Sequence, residues 1–485
     1  MNTVQTAICG MDVTIERGLP LVGVLPAMLR DGPGALLGMA ARHRGELFAM
    51  RLGPVRVPVV VEPVHLQEVL VERAKDFTHG GMWEETRPLL GHGLVTSDGD
   101  FWRRQRRLLQ PLFTARHLRG LTDVIVAALA AQLEHIAARA ETGPLDMVPE
   151  MTALAQRVLM DTIFGDSLGP EEAAAMGHHV KAAFLALSYR LPLYFLPAWM
   201  PRPRQRAFVE AVAALDDSLM RLAAKRRQQP TDAVDLLNRL VAVEDVDTGE
   251  TMTERQIRDE LVTLFVAGLD TTSLTLTWLC WLLATHPEVE AGVRAEIGQV
   301  VGRRLPTCDD LPKLEYTKRV IQETLRLYPP AWQLPRYADG GTTIAGHRIG
   351  PGTSLLVSPY VTHRNPELWQ NPERFDPDRF LPAQCAKRPK MAYLPFGGGQ
   401  RICLGSHLAM MESQLAVVML LQRFRMRLVP GQRIVPASAA TLTPRYGVKM
   451  YFEGASQVQL PVRASSQVSA TNPRTDRAGV AGPLE

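Results

Sequence analysis

One cysteine of this 485-residue chain lies in a stretch whose residue types suit a metal-bearing ligand. The stretch reads Phe-Gly-Gly-Gly-Gln-Arg-Ile-Cys-Leu-Gly and runs from Phe396 to Gly405. A thiolate at Cys403 needs N–H donors or positive potential, and a loop that opens a helix supplies both. Gly399 and its glycine neighbours let the backbone lie close to a flat ligand and visit positive φ, and Arg401 can pair with a carboxylate on that ligand. These features predict a haem iron held by a single cysteine thiolate.

A second group of functional side chains lies in the apolar stretch 261–285, which contains Ala-Gly-Leu-Asp-Thr-Thr from position 267. Gly268 in a helix costs roughly 1 kcal/mol relative to Ala. We therefore expect this glycine to admit a small ligand or a local bulge in the helix. Asp270 and Thr271 place a carboxyl and a hydroxyl beside that gap. Such an acid–alcohol pair, with water, can deliver protons to oxygen at an iron centre.

Each pattern, taken alone, also has a structural explanation. Cys403 could be a buried cysteine in a glycine-rich turn. Thr271 could bond back to its own helix, while a basic neighbour pairs with Asp270. The complete spacing F-x-x-G-x-R-x-C-x-G favours the chemical interpretation of both patterns.

These motifs, in this order, resemble the oxygen-activation and haem-binding motifs of the cytochrome P450 family. The resemblance runs from about Leu47 to Tyr451 and includes five motifs in the family's order. It implies a mainly α fold with a small β region, in which a triangular prism of helices surrounds haem b. It also implies that Cys403 binds the iron, Thr271 stabilises the activated oxygen and Asp270 feeds protons. The other motif residues that it assigns to the haem are Phe396, Gly399, Arg401, Gly405, Ala267 and Gly268.

Three side chains outside these motifs are assigned to the haem propionates by the same resemblance. Trp102 and Arg106 are i, i+4 neighbours on a predicted helix after Asp100. Arg336 is the third. Arginine suits this role because its planar fork pairs with carboxylates in bidentate fashion.

Glu323 and Arg326 lie three residues apart and share one face of a predicted helix. A surface pair of this kind is worth under about 1 kcal/mol. The resemblance instead places both in a buried charge network with Arg379, where the network braces the cysteine loop. Arg374 is the competing third member.

Substrate contacts follow only from position in the family pattern. A mostly apolar wall indicates a hydrophobic substrate, although core packing gives the same composition. The candidates are Met82, Trp83, Leu89, Leu90, Phe184, Leu187, Leu193, Phe195, Leu264, Ala267, Ala331, Trp332, Leu334, Ala440 and Leu442.

Composition excludes several classes of protein. Hydrophobic residues make up 46% and charged residues 21% of the chain, values of a globular protein with a sizeable core. The net charge of +4 is too small to indicate nucleic-acid binding, and no Lys/Arg block is interleaved with aromatic residues. The five cysteines contain no C-x-x-C pair, which argues against zinc, iron–sulfur and disulfide frameworks and favours a cytoplasmic setting.

No membrane span is expected. The apolar stretch 19–29 is short and contains two prolines, whereas a span needs about 20 residues. The stretch 261–285 is long enough, but Asp270 near its centre would be costly in lipid. We therefore predict that it is a helix buried inside a soluble protein.

The elements that must position these residues can be placed approximately. A β-hairpin is predicted at 47–52 and 55–61, and a mainly helical region at 101–240. A capping box at Thr253 opens the buried helix, and a helix follows the cysteine loop at 406–424. The predicted domains are an entry segment (1–45), a haem domain (46–455) and a polar, disordered tail (456–485).

The resemblance implies a bacterial-type monooxygenase that inserts one oxygen atom from O2 into a terpenoid, polyketide or fatty acid. NAD(P)H electrons are expected through separate partners, a ferredoxin or flavodoxin and its reductase. Alternatives are a peroxide-driven or rearranging haem-thiolate enzyme, a non-catalytic haem sensor, and a cofactor-free helical solenoid. Six basic residues form either ordinary solvated charge or a face for an acidic electron donor: Arg103, Arg104, Arg107, Lys387, Arg388 and Lys390.

Overall fold

Helices dominate the chain, as the long stretches with a 3.6-residue apolar period predict. This computed structural model describes residues 12–190, 200–245, 247–438 and 440–454. Within these residues the helices are α1 (Leu25–Arg42), α2 (Pro63–Gln67), α3 (Gly81–Glu84), α4 (Arg87–Leu90), α5 (Gly99–Leu109), α6 (Ala115–Ala140), α7 (Met147–Phe164), α8 (Pro170–Arg190), α9 (Gln205–Gln228), α10 (Leu236–Ala242), α11 (Glu254–Thr285), α12 (Pro287–Val300), α13 (Glu315–Leu327), α14 (Pro359–Thr362), α15 (Pro382–Cys385) and α16 (Ser406–Arg423).

Short strands form one larger sheet and three small ones. The strands are β1 (Thr14–Ile15), β2 (Phe48–Leu52), β3 (Val55–Val60), β4 (Phe77–Thr78), β5 (Leu145–Asp146), β6 (Leu334–Ala338), β7 (Thr342–Ile344), β8 (His347–Ile349), β9 (Thr353–Val357), β10 (Arg425–Leu428), β11 (Pro436–Ser438), β12 (Leu442–Pro444) and β13 (Lys449–Glu453). The six-stranded sheet has the order β1-β2-β3-β9-β6-β4 and contains the predicted β2–β3 hairpin. Strands β11 and β12 form a separate antiparallel pair. This mainly helical architecture confirms the predicted fold class.

The longest helix, α11, begins with the predicted capping box. The Gln256 N–H donates to Thr253 Oγ1 (3.2 Å), and the Thr253 N–H donates to Gln256 Oε1 (2.8 Å). The helix then continues without a break through Gly268, so the expected bulge is not seen in this helix. Most of its second half is buried in the core.

Two helices in the described part of the chain, α6 and α11, are long and apolar enough to cross a membrane. Their most apolar windows are 50% and 61% buried inside the protein, as expected of core helices.

The largest group of buried side chains surrounds α11 and includes residues of α6, α7, α13 and α16, such as Ile125, Leu154 and Leu415. A second group lies against one face of the six-stranded sheet, and a third lies between that sheet and α1. The two sequence motifs are therefore positioned by core helices. Helix α11 carries residues 267–272, and α16 begins three residues after Cys403.

The N-terminal segment is more regular than the sequence indicates. The predicted helix around 36–43 is the second half of α1, which starts at Leu25. The helix is broken at Asp31 (φ −156°, ψ 79°), two residues before Pro33, and a proline inside a helix removes a hydrogen bond and crowds the preceding turn. Several predictions concern parts of the chain outside the described residues: the tail 456–485, Leu193, Phe195 and the side chain of Met82.

Two helix-interior glycines provide a test of the packing around α11. A Cβ at Gly298, in α12, would meet no atom within 4 Å, whereas one at Gly268 would lie 2.9 Å from Leu159 Cδ2 on α7. Because alanine is favoured over glycine in helices by up to about 1 kcal/mol, Gly298→Ala should raise the midpoint of thermal unfolding. Gly268→Ala should give a smaller increase or a decrease, because Leu159 must move. Equal shifts in circular-dichroism melts would contradict the close contact between α7 and α11.

Candidate active site

The cysteine loop is a tight turn held by its own backbone. The Cys403 N–H donates to the Phe396 carbonyl (2.9 Å), and the Ile402 N–H donates to the Gly399 carbonyl (3.1 Å). Gly405 is the N-cap of α16, and its N–H donates to the Cys403 sulfur. Cys403 has a large exposed fraction, yet burial is the main influence on its pKa. The sulfur therefore faces an enclosed cleft rather than the outer surface.

The loop was expected to stabilise the Cys403 thiolate, but the pKa of this thiol is raised and not lowered. Burial raises the pKa of the Cys403 thiol, and the Gly405 N–H and the Arg106 charge lower it by less. The N–H donor and the positive charge are present, but they do not outweigh burial. A bound metal cation would stabilise the thiolate further, and its binding would release the thiol proton.

Arg106 links α5 to this loop. Its Nη1 donates to the Ile402 carbonyl (2.8 Å), one residue before the cysteine. Burial lowers the pKa of Arg106, and the nearby Cys403 opposes that shift. The same guanidinium therefore fixes the loop and offers positive charge to the sulfur.

Gly399 adopts the positive φ that the glycine-rich stretch predicts. Its φ is +67°, and a Cβ there would lie 1.8 Å from the Leu70 carbonyl oxygen. Glycine is therefore required at this position both by the backbone conformation and by the close approach of another segment of the chain. A Cβ on Gly405, in contrast, would meet no atom within 4 Å.

Gly268 also packs against protein. As noted above, its missing side chain makes room for Leu159, and this contact corrects the expectation that Gly268 opens a gap for a ligand. Its neighbour Ala267 is exposed although the helix around it is largely buried. Ala267 is therefore the residue of this pair that faces open space.

Arg336 and Arg401 approach one another at a corner of the site. The Arg401 Nη2 donates to Asp98 Oδ1 (2.5 Å), and its Nη1 donates to the Ser97 carbonyl (2.9 Å). Its guanidinium also lies 3.8 Å from the centre of the Trp102 ring, a cation–π contact. Burial lowers the pKa of Arg336 and of Arg401 to about 10 in each case, and Asp98 opposes both shifts.

Sequence reasoning missed the partners of this corner. Burial alone would raise the pKa of Asp98, but His79 and Arg401 outweigh it and hold that pKa below its usual value. The His79 Nδ1 lies 3.2 Å from Asp98 Oδ1. No motif marks Asp98 or His79, and only their position beside the predicted helix start could have suggested a role.

These groups fit a haem. The positive charges of Arg336, Arg106 and Arg103 all lower the pKa of Arg401. Asp98 is the carboxylate that opposes the pKa shifts of Arg336 and Arg401, so this largely buried place holds more positive than negative charge. A ligand with two carboxylates would neutralise that surplus, and the Cys403 sulfur faces the cleft as an iron ligand would require.

The acid and the alcohol of α11 are held in different ways. Thr271 Oγ1 donates to the Ala267 carbonyl (2.6 Å), which is the back-bonding that the structural alternative describes. Asp270 has no basic partner among the described residues. Its Oδ2 instead accepts a hydrogen bond from the Thr441 hydroxyl. Burial raises the pKa of Asp270, and the Thr441 bond lowers it by less.

A buried acid that the sequence analysis missed joins the two motif helices. Glu412 lies on α16, and its Oε2 accepts a hydrogen bond from Thr272 Oγ1 on α11 (3.4 Å). Burial raises the pKa of Glu412 to about 8. A carboxyl in the apolar stretch of α16 is the one sequence signal that could have indicated it.

The predicted charge network forms around Glu323. Arg326 donates from Nε and Nη2 to the two oxygens of Glu323 (2.7 and 2.8 Å), and both side chains are fully buried. Arg379 Nε lies 3.3 Å from Glu323 Oε1. The side chain of Arg374 is exposed, and this residue contributes its carbonyl oxygen to Arg326 (3.1 Å). The geometry thus favours Arg379 over Arg374 as third member.

Fewer of the predicted substrate contacts keep exposed area than the sequence indicates. Several of them are buried by core packing, which corrects their assignment to an open wall: Leu89, Leu90, Leu187, Trp332 and Leu442. Others keep exposed area and stay candidates: Trp83, Phe184, Leu264, Ala267, Ala331, Leu334 and Ala440.

Removing one partner of the buried pair tests the network. Glu323→Gln leaves the Arg326 guanidinium buried without its counter-charge, which costs about 3–5 kcal/mol in comparable pairs. We expect a large fall in soluble yield and in the thermal midpoint. The control Glu210→Gln changes an exposed i, i+4 pair with Arg206 and should alter neither. Similar effects of both substitutions would contradict a bracing role for Glu323.

Comparison with known proteins agrees with this site. A sequence model of the family described as "Cytochrome P450" matches residues 14–451. Cyclooctatin synthase of Streptomyces melanosporofaciens is 38% identical over 88% of this chain and 92% of its own length. Cyclooctat-9-en-7-ol 5-monooxygenase of the same organism is 36% identical over 86% and 90%. Pentalenene oxygenase of Streptomyces avermitilis is 33% identical over 88% and 94%.

Among solved structures, the haem domain of cytochrome P450DA matches with a TM-score of 0.82 over 91% of this chain and 97% of that chain. At 23% identity this likeness shows the fold, and it confirms the helical arrangement that the motifs imply. The family match spans nearly the whole chain, and the relatives share more than 30% identity with it. This chain therefore belongs to the cytochrome P450 family and is a haem-thiolate monooxygenase.

Proposed function

We propose that this protein hydroxylates or epoxidises a cyclic terpenoid with electrons from NAD(P)H, delivered by a separate ferredoxin or flavodoxin and its reductase. The observation that carries the proposal is the likeness to three enzymes named for cyclooctatin, cyclooctat-9-en-7-ol and pentalenene. The partly exposed candidates on the substrate side are nearly all apolar, and such a wall suits a hydrocarbon skeleton. A cytoplasmic location accompanies this proposal.

Bound haem would supply the activation of O2 and the transfer of one oxygen atom to the substrate. Cys403 would hold the iron through its sulfur, with the Gly405 N–H as a hydrogen-bond donor to that sulfur. Arg336 and Arg401 would neutralise the carboxylates of the cofactor. Arg106 adds positive charge close to the sulfur.

Thr271 and Asp270 are proposed to control the protons. The Thr271 hydrogen is directed to the Ala267 carbonyl, so the lone pairs of its oxygen stay available to accept a hydrogen bond from the reacting oxygen. The raised pKa of Asp270 keeps a proton on its carboxyl closer to neutral pH. A carboxyl in this position can give up a proton and regain one from solvent.

The predicted donor face is narrower than the sequence indicates. Arg104 and Arg107 are paired with Asp245, which has no exposed side-chain area. Arg388 lies over the Trp369 ring at 3.9 Å. Arg103 is paired with Asp100. Exposed Lys387 and Lys390 are therefore the basic residues that we propose for contact with an acidic electron donor.

A spectroscopic screen tests the substrate proposal. Cyclic terpenes should shift the haem from low to high spin and, with a reductase system, gain one oxygen atom.

Cys403→Ala should abolish the thiolate-type Soret band of the reduced carbon monoxide complex, because no other ligand is proposed for the iron. Shifts and products with fatty acids or polyketides alone would overturn the terpenoid proposal. Full turnover with hydrogen peroxide in place of O2 and NAD(P)H would favour the peroxide-driven alternative.

Replacement of the active-site threonine tests the proton role. Thr271→Ala should retain haem and substrate binding, while less product and more hydrogen peroxide form per NAD(P)H consumed. The loss should be about 10-fold or more, the lower part of the range for proton-transfer groups. Thr275→Ala is the matched control, since Thr275 bonds back to the Thr271 carbonyl (2.8 Å) one turn further along α11. Unchanged product yield in Thr271→Ala would contradict the assignment.

A further inference from the structure

Thr441 is the residue outside both motifs that touches the proton-carrying carboxyl. It directly precedes strand β12, and its hydroxyl donates to Asp270 Oδ2 across a sequence separation of 171 residues. Sequence reasoning assigned its neighbours Ala440 and Leu442 to the substrate wall and gave Thr441 no role. The contact therefore joins the β11–β12 hairpin to the oxygen-activation segment of α11.

The hairpin is fixed to α11 at the next residue. The Leu442 carbonyl accepts a hydrogen bond from Trp278 Nε1 (2.9 Å), and its N–H donates to the Pro330 carbonyl (3.0 Å). Trp278 lies eight residues after Asp270 on the same helix, which is about two turns. The donor hydroxyl is thus held in register with the acceptor carboxyl by a second, buried bond.

The opposite strand of the hairpin is held from the other side. Helix α1 passes so close to β11 that a Cβ on Gly32 would lie 2.7 Å from Ser438 Oγ and 3.2 Å from the Trp332 ring. The break in α1 at Asp31 directly precedes this contact. The hairpin is therefore clamped between α1 and α11, while Ala440 beside Thr441 is exposed.

The carboxyl depends on this one hydroxyl. Burial is the main influence on the pKa of Asp270, and the Thr441 bond is the opposing one. No ionisable side chain of the described residues adds to that shift. A buried carboxyl without a hydrogen-bond partner is costly, so Asp270 would adopt another orientation if the hydroxyl were removed.

We propose that Thr441 is a positioning residue for proton delivery, which holds the Asp270 carboxyl by Oδ2 and leaves Oδ1 directed to the proton path. This inference rests on the proposed role of Asp270. Thr441 transfers no proton itself. The carboxyl gives up one proton and regains one from solvent, so its charge is restored after each cycle.

Infrared spectroscopy of the resting holoenzyme tests the contact without turnover. The Asp270 carboxyl band is identified from the difference between the native protein and Asp270→Asn. Thr441→Val keeps the side-chain shape but removes the donor, so the Asp270 bands should shift. The C=O band of a protonated carboxyl should move to higher frequency, and the two stretching bands of an ionised carboxylate should change their spacing. Thr441→Ser should restore the native band. An unchanged band in Thr441→Val would overturn the proposal, and Thr441→Ala repeats the test if the valine variant does not fold.

Product yield tests the consequence. Thr441→Val should lower product formed per NAD(P)H by about 2- to 10-fold, as expected for the loss of one hydrogen bond, and Thr441→Ser should recover most of it. Thr443→Val is the control, because Thr443 lies on the same hairpin and is not a partner of Asp270 in the described part of the chain. An equal loss in Thr443→Val would indicate a general hairpin effect and overturn the proposal. If the native protein oxidises no terpenoid, the substrate proposal fails and the infrared result still decides the role of Thr441.

Discussion

Burial of the Cys403 sulfur is the constraint on which the site depends. A buried thiol resists ionisation, and the Gly405 N–H and Arg106 only partly offset that resistance. Arg106 is also the side chain that holds the Ile402 carbonyl. The position of the loop and the electrostatics of the sulfur thus depend on the same guanidinium. A bound iron would add the positive charge that stabilises the thiolate, so metal binding and loss of the thiol proton would be coupled.

Burial also disfavours the charged forms of Arg336 and Arg401, which are cations rather than an anion. Burial lowers the pKa of both Arg336 and Arg401 to about 10, and Asp98 is the carboxylate that opposes it. Since Asp98 is shared with His79, it cannot neutralise the whole corner. Without an anionic ligand the corner is a cost to stability; with one, the charges are paired and hydrogen-bonded. Cofactor binding is therefore expected to stabilise the fold.

Short-range patterns allowed prediction of much of the fold but not of the long-range partners. The capping box at Thr253 and the β2–β3 hairpin depend on residues close in sequence, so spacing reveals them. The sequence indicates that glycine is needed at 268 and 399, but the neighbours Leu159 and Leu70 come from distant segments. A glycine in the sequence indicates that a side chain would not fit at that position, but it does not identify the neighbouring group. Several predicted substrate contacts are buried in the core instead, because core packing and an apolar pocket select the same types of side chain. Glu412 and Asp98 lie outside the sequence motifs, so motif spacing does not predict their roles.

The acid and the alcohol of the oxygen-activation segment respond to different parts of the molecule. Thr271 is bonded within its own helix, so its position depends on α11 alone. Asp270 is bonded to Thr441, so its position depends on a hairpin whose tip includes the exposed Ala440. Two adjacent residues of one motif are therefore held by different parts of the chain. The spacing within the motif identifies both residues, while the partner that holds Asp270 comes from a segment 171 residues away.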